Sequence, residues 1–255
     1  STNTIENNLQ RTIYSIYNST RELVQRQEYS TLTNEFTSNV LNDGIYFYNA
    51  TVLDMSGFES TTETRTITID NTRPIIAFSS TTLNNASFYD KENITVSVNV
   101  VENNFDRIIY YLYGASGNLI DSKVFTELIR EVNVSDLIDG LFYYNVSVRD
   151  KVGNEASTET RSIIVDRTLP QVSYNSQTRQ NNSYNGQNSF TVKLSITEAN
   201  FANISYYLYD SLKNLNQTAE FSEPRNEFNF TNLNDGIYYY NVTVRDKISQ
   251  SSAET

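Results

Sequence analysis

The sequence predicts an all-β protein, a tandem array of seven-stranded β-sandwiches with a 96-residue repeat. One stretch occurs three times, and its Asp-Gly pair begins at Asp43, Asp139 and Asp235, each 96 residues after the last. A unit of that length matches the size of a single β-sandwich. Short runs in which Tyr, Ile, Val and Thr alternate with polar residues favour strands, and no window has helical periodicity.

The period divides the 255 residues into three units, named here repeat one (1–72), repeat two (73–168) and repeat three (169–255). Repeat two is complete, whereas repeat one is expected to lack its opening strands and repeat three its closing strand. Residues 1–9 correspond to 97–105, so the chain is expected to start inside a strand. We interpret it as a window from a longer array, with strand donation by a neighbouring subunit as the alternative.

Each strand of repeat two is predicted from its own pattern. Pro74 suits the first position of an edge strand, and Ile94, Val96 and Val98 alternate with polar residues on a half-buried strand. Turns are expected at Gly114–Gly117, at Asp139-Gly140 and at 150–154. The predicted strands run over 74–78, 94–100, 108–113, 119–125, around 132–134, 141–148 and 161–166.

Composition excludes several kinds of activity. With no His and no Cys, the chain has no acyl-transfer dyad that uses either residue and no common zinc site, so we predict that it is not an enzyme. The net charge of −11 argues against nucleic acid as a partner. No stretch is apolar enough for a membrane span. The lack of cysteine favours a prokaryotic surface protein or a cytosolic one.

Two motifs carry a resemblance to a known group of proteins. Asp-x-Thr-x-Pro occurs at 70–74 and 166–170, and Val-Arg-Asp-Lys-Val-Gly-Asn occupies 148–154. With the repeat length and the aromatic strand, these motifs resemble the tandem immunoglobulin-like repeats of bacterial and archaeal cell-surface proteins, adhesin stalks and S-layer-type or filament proteins. Only repeat two keeps the Gly-Asn pair, and the Trp and disulfide of antibody domains are absent.

Sequons for N-glycosylation recur in the three repeats. Asn49, Asn145 and Asn241 lie on the aromatic strand and are expected to point away from the core, because side chains alternate across a strand. The alternative is a row of polar residues on a solvated sheet face. The candidate acceptors are Asn18, Asn49, Asn85, Asn93, Asn133, Asn145, Asn181, Asn203, Asn216, Asn229 and Asn241.

A calcium site is predicted at each joint between repeats. In an immunoglobulin-like sandwich the loop after the second strand and the last hairpin loop lie at the pole where the chain enters. The expected carboxylate trios are Asp70, Glu102 and Asp150 at the first joint, and Asp166, Glu198 and Asp246 at the second. Hard oxygen ligands suit Ca²⁺, and no other cofactor is expected. The alternative is that these acids shape turns and end strands.

The aromatic strand is interpreted as structural. Tyr46 and Tyr238 stand where a tyrosine corner could form, but they are expected to be plain core residues, because Phe142 replaces them in repeat two. We predict that the chain is a segment of an extracellular stalk or filament on a prokaryotic cell, more narrowly an archaeal one. We also predict that it is N-glycosylated. Its partners would be neighbouring repeats or copies of itself, and surface glycans.

Two other functions stay open. In an adhesin-type binding module, the outward rows Ile45-x-Phe47, Leu141-x-Tyr143 and Ile237-x-Tyr239 would grip a carbohydrate or a partner protein. In the other, the chain is accessory to an enzyme encoded outside this stretch.

Overall fold

The computed structural model describes residues 7–249 and 251–254, and this part of the chain is all-β. Its 21 strands form five sheets. The strand predicted to hold residue 1 lies outside the described residues. No helix in the described part is long and apolar enough to cross a membrane.

Repeat one is described as a single sheet. Its strands are β1 (Leu9–Tyr17), β2 (Leu23–Tyr29), β3 (Gly44–Asp54), β4 (Glu59–Thr61) and β5 (Arg65–Ile69). Their order is β2-β1-β3-β4, and β5 also pairs with β3.

Repeat two has two sheets, one of three strands and one of six. The strands are β6 (Ile75–Phe78), β7 (Ser87–Tyr89), β8 (Ile94–Val101), β9 (Phe105–Gly114), β10 (Leu119–Phe125), β11 (Glu131–Val134), β12 (Gly140–Asp150), β13 (Glu155–Ser157) and β14 (Arg161–Val165). The small sheet has the order β11-β8-β6, and the large one β10-β9-β12-β14-β7, with β13 paired to β12.

Repeat three repeats this arrangement with fewer strands described. They are β15 (Gln171–Tyr174), β16 (Phe190–Thr197), β17 (Phe201–Tyr209), β18 (Leu215–Phe221), β19 (Glu227–Phe230), β20 (Tyr239–Asp246) and β21 (Ser251–Glu254). One sheet has the order β15-β16-β19 and the other β18-β17-β20-β21. β16 begins 96 residues after β8, and β17 the same distance after β9.

The core of repeat two lies between its two sheets. Alternate residues of β12 face this core, and Tyr144, Val146 and Val148 are buried completely or almost so. Val96 and Val98 of β8 face them from the other sheet. The alternation of apolar and polar residues that predicted these strands therefore marks the inward face of each sheet.

The same inward face is open in repeat one. Tyr48 is 40% exposed, whereas its counterpart Tyr144 is 1% exposed. In the described residues, repeat one has no second sheet to cover it, and 33–43 form no strand. Phe36 stacks on Tyr14, with ring centroids 5.4 Å apart, and partly takes the place of that sheet.

Repeat two has nine strand segments where seven strands were predicted, because its first and last strands are each divided. Between β6 and β7 the chain passes from the small sheet to the large one, where β7 runs parallel to β14. The closing strand is interrupted at Thr158, whose hydroxyl accepts the Val146 N–H at 3.1 Å in place of a ladder bond. Such local switches depend on side-chain hydrogen bonds that alternation does not reveal.

Two tyrosines correct the prediction of a plain aromatic core. The Tyr46 hydroxyl donates to the carbonyl of Asn42 at 3.1 Å, and the Tyr238 hydroxyl donates to that of Asn234 at 3.2 Å. Each bond reaches four residues back, across the Asp-Gly turn, as in a tyrosine corner. Phe142 shows that repeat two forms its turn without this bond.

Candidate functional sites at the joints and on the outward sheet face

The first joint is the linker Asp70–Pro74 between β5 and β6, and the second is the linker Asp166–Pro170 between β14 and β15. At the first, the Asn104 side-chain amide donates to Asp70 Oδ2 at 2.7 Å. At the second, Asn200 donates to Asp166 Oδ2 at 2.8 Å. Both asparagines belong to the loop after the second strand of the following repeat, so the linker is bonded to the unit it enters.

The turn after β12 adds a second attachment at the first joint. Asn154 donates from its side-chain amide to the backbone carbonyls of Asp70 and Thr72, at 3.3 Å each. Asp150 Oδ1 accepts three backbone N–H groups of the turn, from residues 152 to 154, at 2.9, 2.7 and 2.8 Å. The conformation of the turn is therefore fixed by its own hydrogen bonds, independently of its contact with the linker.

These bonds also set the charge of Asp150, which is 1% exposed. Burial opposes its ionisation, but the hydrogen bonds from Asn154, Gly153 and Val152 outweigh burial and lower the pKa of Asp150 below its ordinary value. The carboxylate is consequently charged at neutral pH.

The preceding repeat holds the linker from its other side. Asp43, of the Asp-Gly turn, accepts the Asn71 backbone N–H at 2.8 Å, the Asn71 amide at 3.2 Å and the Thr72 hydroxyl. The hydroxyl and then the backbone N–H lower the pKa of Asp43. Asp43 therefore does more than shape its turn, because it also binds the linker.

At the second joint, Asp139 stands at the position equivalent to Asp43 but binds an arginine of the linker. Asp139 accepts the Arg167 backbone N–H at 3.2 Å and its Nε at 2.9 Å. The same guanidinium lies 3.3 Å from Glu92. An ion pair here replaces the hydroxyl and amide bonds of the first joint, and both linkers are fixed to the repeat that they leave.

The structure brings the first predicted calcium trio together. Asp70, Glu102 and Asp150 each place one carboxylate oxygen within 4.8 Å of the others. This donor set has the chemistry that Ca²⁺ prefers. The amides of Asn104 and Asn154 donate to two of the same carboxylates, so part of their hydrogen-bonding capacity is already used. Calcium binding itself stays a prediction.

At the second joint, Asp166 and Asp246 are buried. Burial raises the pKa of Glu198. The hydrogen bond from the Asn200 N–H lowers it, and the negative charges of Asp166 and Asp246 raise it further. The three acids therefore lie close enough to repel one another.

The predicted glycosylation sites divide by exposure. Six are exposed, namely Asn85, Asn93, Asn133, Asn181, Asn216 and Asn229, and five are half-buried, namely Asn18, Asn49, Asn145, Asn203 and Asn241. Asn145 donates from Nδ2 to the Thr160 hydroxyl at 3.0 Å, and Asn49 donates to Thr64 at 3.1 Å. An amide nitrogen carries two hydrogens, so each of these bonds leaves one free for a sugar. Occupancy stays a prediction.

The outward rows differ between repeats. Arg21 lies over the Phe47 ring, 3.5 Å from its centroid, and Lys213 lies 5.9 Å from the centroid of Tyr239. Tyr143, at the equivalent position, lines a groove instead. The sequence does carry a signal for this contrast, because the 96-residue offset places Arg21, Gly117 and Lys213 at one position.

Comparisons with known proteins find likenesses in structure only. No family model matches the sequence, and no curated protein matches it. The fibronectin(III)-like modules of Clostridium thermocellum CbhA are 12% identical, covering 71% of this chain and 90% of that chain, with a TM-score of 0.37. The FN1–FN3 domains of chicken CNTN1 are 12% identical, covering 97% and 88%, with a TM-score of 0.31.

A marsupial T cell receptor is 10% identical, covering 71% of this chain and 70% of that chain, with a TM-score of 0.45. No conclusion about function is drawn from likenesses this distant. The assignment of repeats two and three as β-sandwiches rests on their own paired sheets and shared cores.

Proposed function

We propose that this chain is a non-catalytic structural segment of an extracellular stalk or filament on a prokaryotic cell. In this proposal, tandem immunoglobulin-like repeats hold a fixed spacing and direction, and the protein acts mechanically. The observation that carries the proposal is that each linker is bonded both to the repeat it leaves and to the repeat it enters. Asp43 and Asn104 do this at the first joint, and Asp139 and Asn200 at the second.

A linker bonded on both sides restricts bending more than its length alone would. Free linkers let neighbouring domains reorient, which is the default for domains within one chain. Here, bending at the first joint would break the bond from Asn104 to Asp70 or the bond from Thr72 to Asp43, and both are hydrogen bonds to a carboxylate, which are stronger than neutral ones. A stack of such joints would behave as a semi-rigid rod.

Small-angle X-ray scattering of the 255-residue chain tests this mechanism. The wild type is expected to give an extended shape with a narrow range of maximum dimensions. The double variant Asn104→Ala/Asn200→Ala should broaden that range, because it removes one bond from each joint. The control Asn133→Ala/Asn229→Ala changes exposed asparagines on β11 and β19, away from the linkers, and should leave the shape unchanged. A wild type as flexible as the joint variant rejects the proposal.

The surface location and the glycans are separate parts of the proposal. Antibody labelling of intact cells should detect the protein without permeabilisation. Intact-mass analysis of protein from its native cells should show added sugar, and a mass equal to that of the polypeptide would remove glycosylation from the proposal.

A further inference from the structure

The turn between the third and fourth strands of each sandwich has one geometry in all three repeats. It joins β1 to β2, β9 to β10 and β17 to β18. In each turn, the fourth residue donates its backbone N–H to the carbonyl of the first, at 3.0, 2.9 and 2.9 Å. That fourth residue is Arg21, Gly117 or Lys213, with left-handed φ values of 66°, 79° and 63°. The backbone therefore directs whatever side chain stands there along the same path.

In the flanking repeats this side chain is a cation that lies near an aromatic ring of the outward sheet face. The guanidinium carbon of Arg21 lies 3.5 Å from the ring centroid of Phe47, within stacking distance. Lys213 Nζ lies 5.9 Å from the ring centroid of Tyr239, near the limit for a cation–π contact. Phe47 and Tyr239 are equivalent to Tyr143 of repeat two.

In the part of the chain that the structure describes, repeat two has the equivalent ring, Tyr143, but no cation lies over it. Gly117 has no side chain, and a groove of about 450 Å³ lies beside Tyr143. The groove is lined by Tyr113, Ala115, Ser116, Gly117, Tyr143, Asn145 and Thr160. Tyr113 lies directly opposite Tyr143 in the strand register, so two aromatic rings border the same space.

The polar groups of the groove are suited to a hydrogen-bond donor. Asn145 uses its Nδ2 to donate to the Thr160 hydroxyl at 3.0 Å, which leaves its side-chain oxygen as the acceptor. The hydroxyl oxygens of Ser116 and of the two tyrosines add further acceptors. The chain as a whole carries a net charge of −11, which favours the approach of a cation.

We propose that the groove of repeat two, where Asn145 carries no sugar, binds an arginine side chain presented by a partner protein. The chain's own Arg21 indicates the occupant, because it places a guanidinium over the equivalent ring in repeat one. A guanidinium stacks on aromatic faces and donates through five N–H groups, which matches the two rings and the surrounding oxygens. The groove thus gives repeat two a recognition surface at the position where Arg21 lies over the ring in repeat one.

The affinity of one such site is low. One cation–π contact is far weaker than the free energy of millimolar binding, so a single arginine would bind with a Kd above about 1 mM, and a longer partner would need further contacts. A measurement that resolves individual residues is therefore required.

Two-dimensional NMR of the unglycosylated 255-residue chain tests the proposal. The ligands are acetyl-Gly-Arg-Gly-amide, the same peptide with citrulline, which is neutral and of similar shape, and N-acetylglucosamine. We expect the arginine peptide to shift the amide signals of Ser116 and Gly117 and the ring signals of Tyr143. We expect the citrulline peptide and the sugar to leave these signals in place.

Matched variants identify the groove as the place of binding. Gly117→Arg should fill the groove as Arg21 does in repeat one, and should weaken binding about tenfold or more, equivalent to ~1.4 kcal/mol. Space allows the substitution, since an added Cβ at Gly117 meets no atom within 4 Å. Gly117→Ala bears the same backbone strain without covering the ring, so it should bind like the wild type. Tyr143→Ala should lose binding.

Four results would overturn the proposal. They are the absence of any shift with the arginine peptide, equal shifts with the citrulline peptide, shifts with N-acetylglucosamine alone, and binding that persists in both Gly117→Arg and Tyr143→Ala. The third result would assign the groove to a saccharide.

Discussion

The side-chain amide of Asn104 donates a 2.7 Å hydrogen bond to Oδ2 of Asp70, which lies 34 residues earlier in the linker between two repeats. The same bond joins Asn200 to Asp166 at 2.8 Å. The Glu-x-Asn sequence of the loop and the Asp-x-Thr-x-Pro sequence of the linker are therefore two halves of one joint. Their recurrence at the same spacing reflects this contact.

Substitution Asn104→Ala should loosen the first joint. It removes a hydrogen bond to a charged, partly buried carboxylate, a loss of about 1.5–3 kcal/mol. Amide hydrogen exchange at Thr72 should quicken about tenfold or more, because its N–H donates to Asp70 Oδ1, on the carboxylate that Asn104 holds, whereas the Asn71 N–H, bonded to Asp43, should exchange as before. The control Asn99→Ala, at an exposed position on β8, should leave their exchange unchanged. Unaltered exchange at Thr72 in Asn104→Ala would show that Asp43 alone holds the linker.

Substitution Thr82→Val should destabilise repeat two although it keeps the volume of the side chain. Thr82 is buried, donates to the Ser97 carbonyl at 2.7 Å and accepts the Ser97 N–H at 2.8 Å. Valine removes both bonds, at a cost of about 1–3 kcal/mol. Thermal unfolding should show a lower melting temperature.

Two further variants test whether the effect comes from the buried hydroxyl bonds. Thr178→Val should act similarly in repeat three, where Thr178 exchanges the same pair of bonds with Lys193 at 2.6 and 2.7 Å. Thr95→Val, at an exposed position on β8, should change stability by less than about 0.5 kcal/mol. Equal effects at Thr82 and Thr95 would mean that the buried hydroxyl bonds contribute little.

The fold could be predicted from the sequence because alternation records burial. On β12 the alternation that points Asn145 away from the core points its neighbours Tyr144 and Val146 towards it, and both side chains are buried. The division of the first strand could not be predicted in this way. Thr82, where the chain leaves the small sheet, reads in the sequence as one more polar residue.

The candidate sites were predictable in part. Topology placed Asp70, Glu102 and Asp150 at one pole, and the structure brings their oxygens together. The linker bonds of Asp43 were missed, since an Asp-Gly pair is explained well enough by its turn. The open groove was missed because it depends on a difference between repeats, at Gly117, whereas the repeat was established from what the three units share.

We predict that Ca²⁺ binds the first joint, since three carboxylate oxygens lie within 4.8 Å of one another. Isothermal titration of the 255-residue chain should show heat of binding, and the melting temperature should rise with calcium concentration, because a ligand of the folded state stabilises it. Glu102→Gln keeps an oxygen that can accept the Asn104 N–H and removes the charge, so it should weaken binding. No heat with the wild-type chain would show that hydrogen bonds alone hold the joint.

Alkaline pH should destabilise repeat three through Tyr206. This side chain is buried, its hydroxyl donates to the Arg225 carbonyl at 2.6 Å, and burial raises its pKa to about 12. The folded state therefore holds the phenol proton more tightly than the unfolded state, where the pKa is about 10. The stabilisation is complete below about pH 10 and is lost as the pH rises through 12, with a slope of about 1.4 kcal/mol per pH unit.

Burial raises the pKa of Tyr110 in the same direction, so repeat two should respond similarly. Tyrosinate absorbance should show a step above pH 10 together with a weaker strand signal in circular dichroism. Tyr206→Phe should be less stable at neutral pH by about 1 kcal/mol, because it lacks the bond to Arg225, and less sensitive to pH above 10. A single ionisation near pH 10 with the strands intact would contradict the prediction, because it would mean that the buried phenols lose their protons as readily as exposed ones.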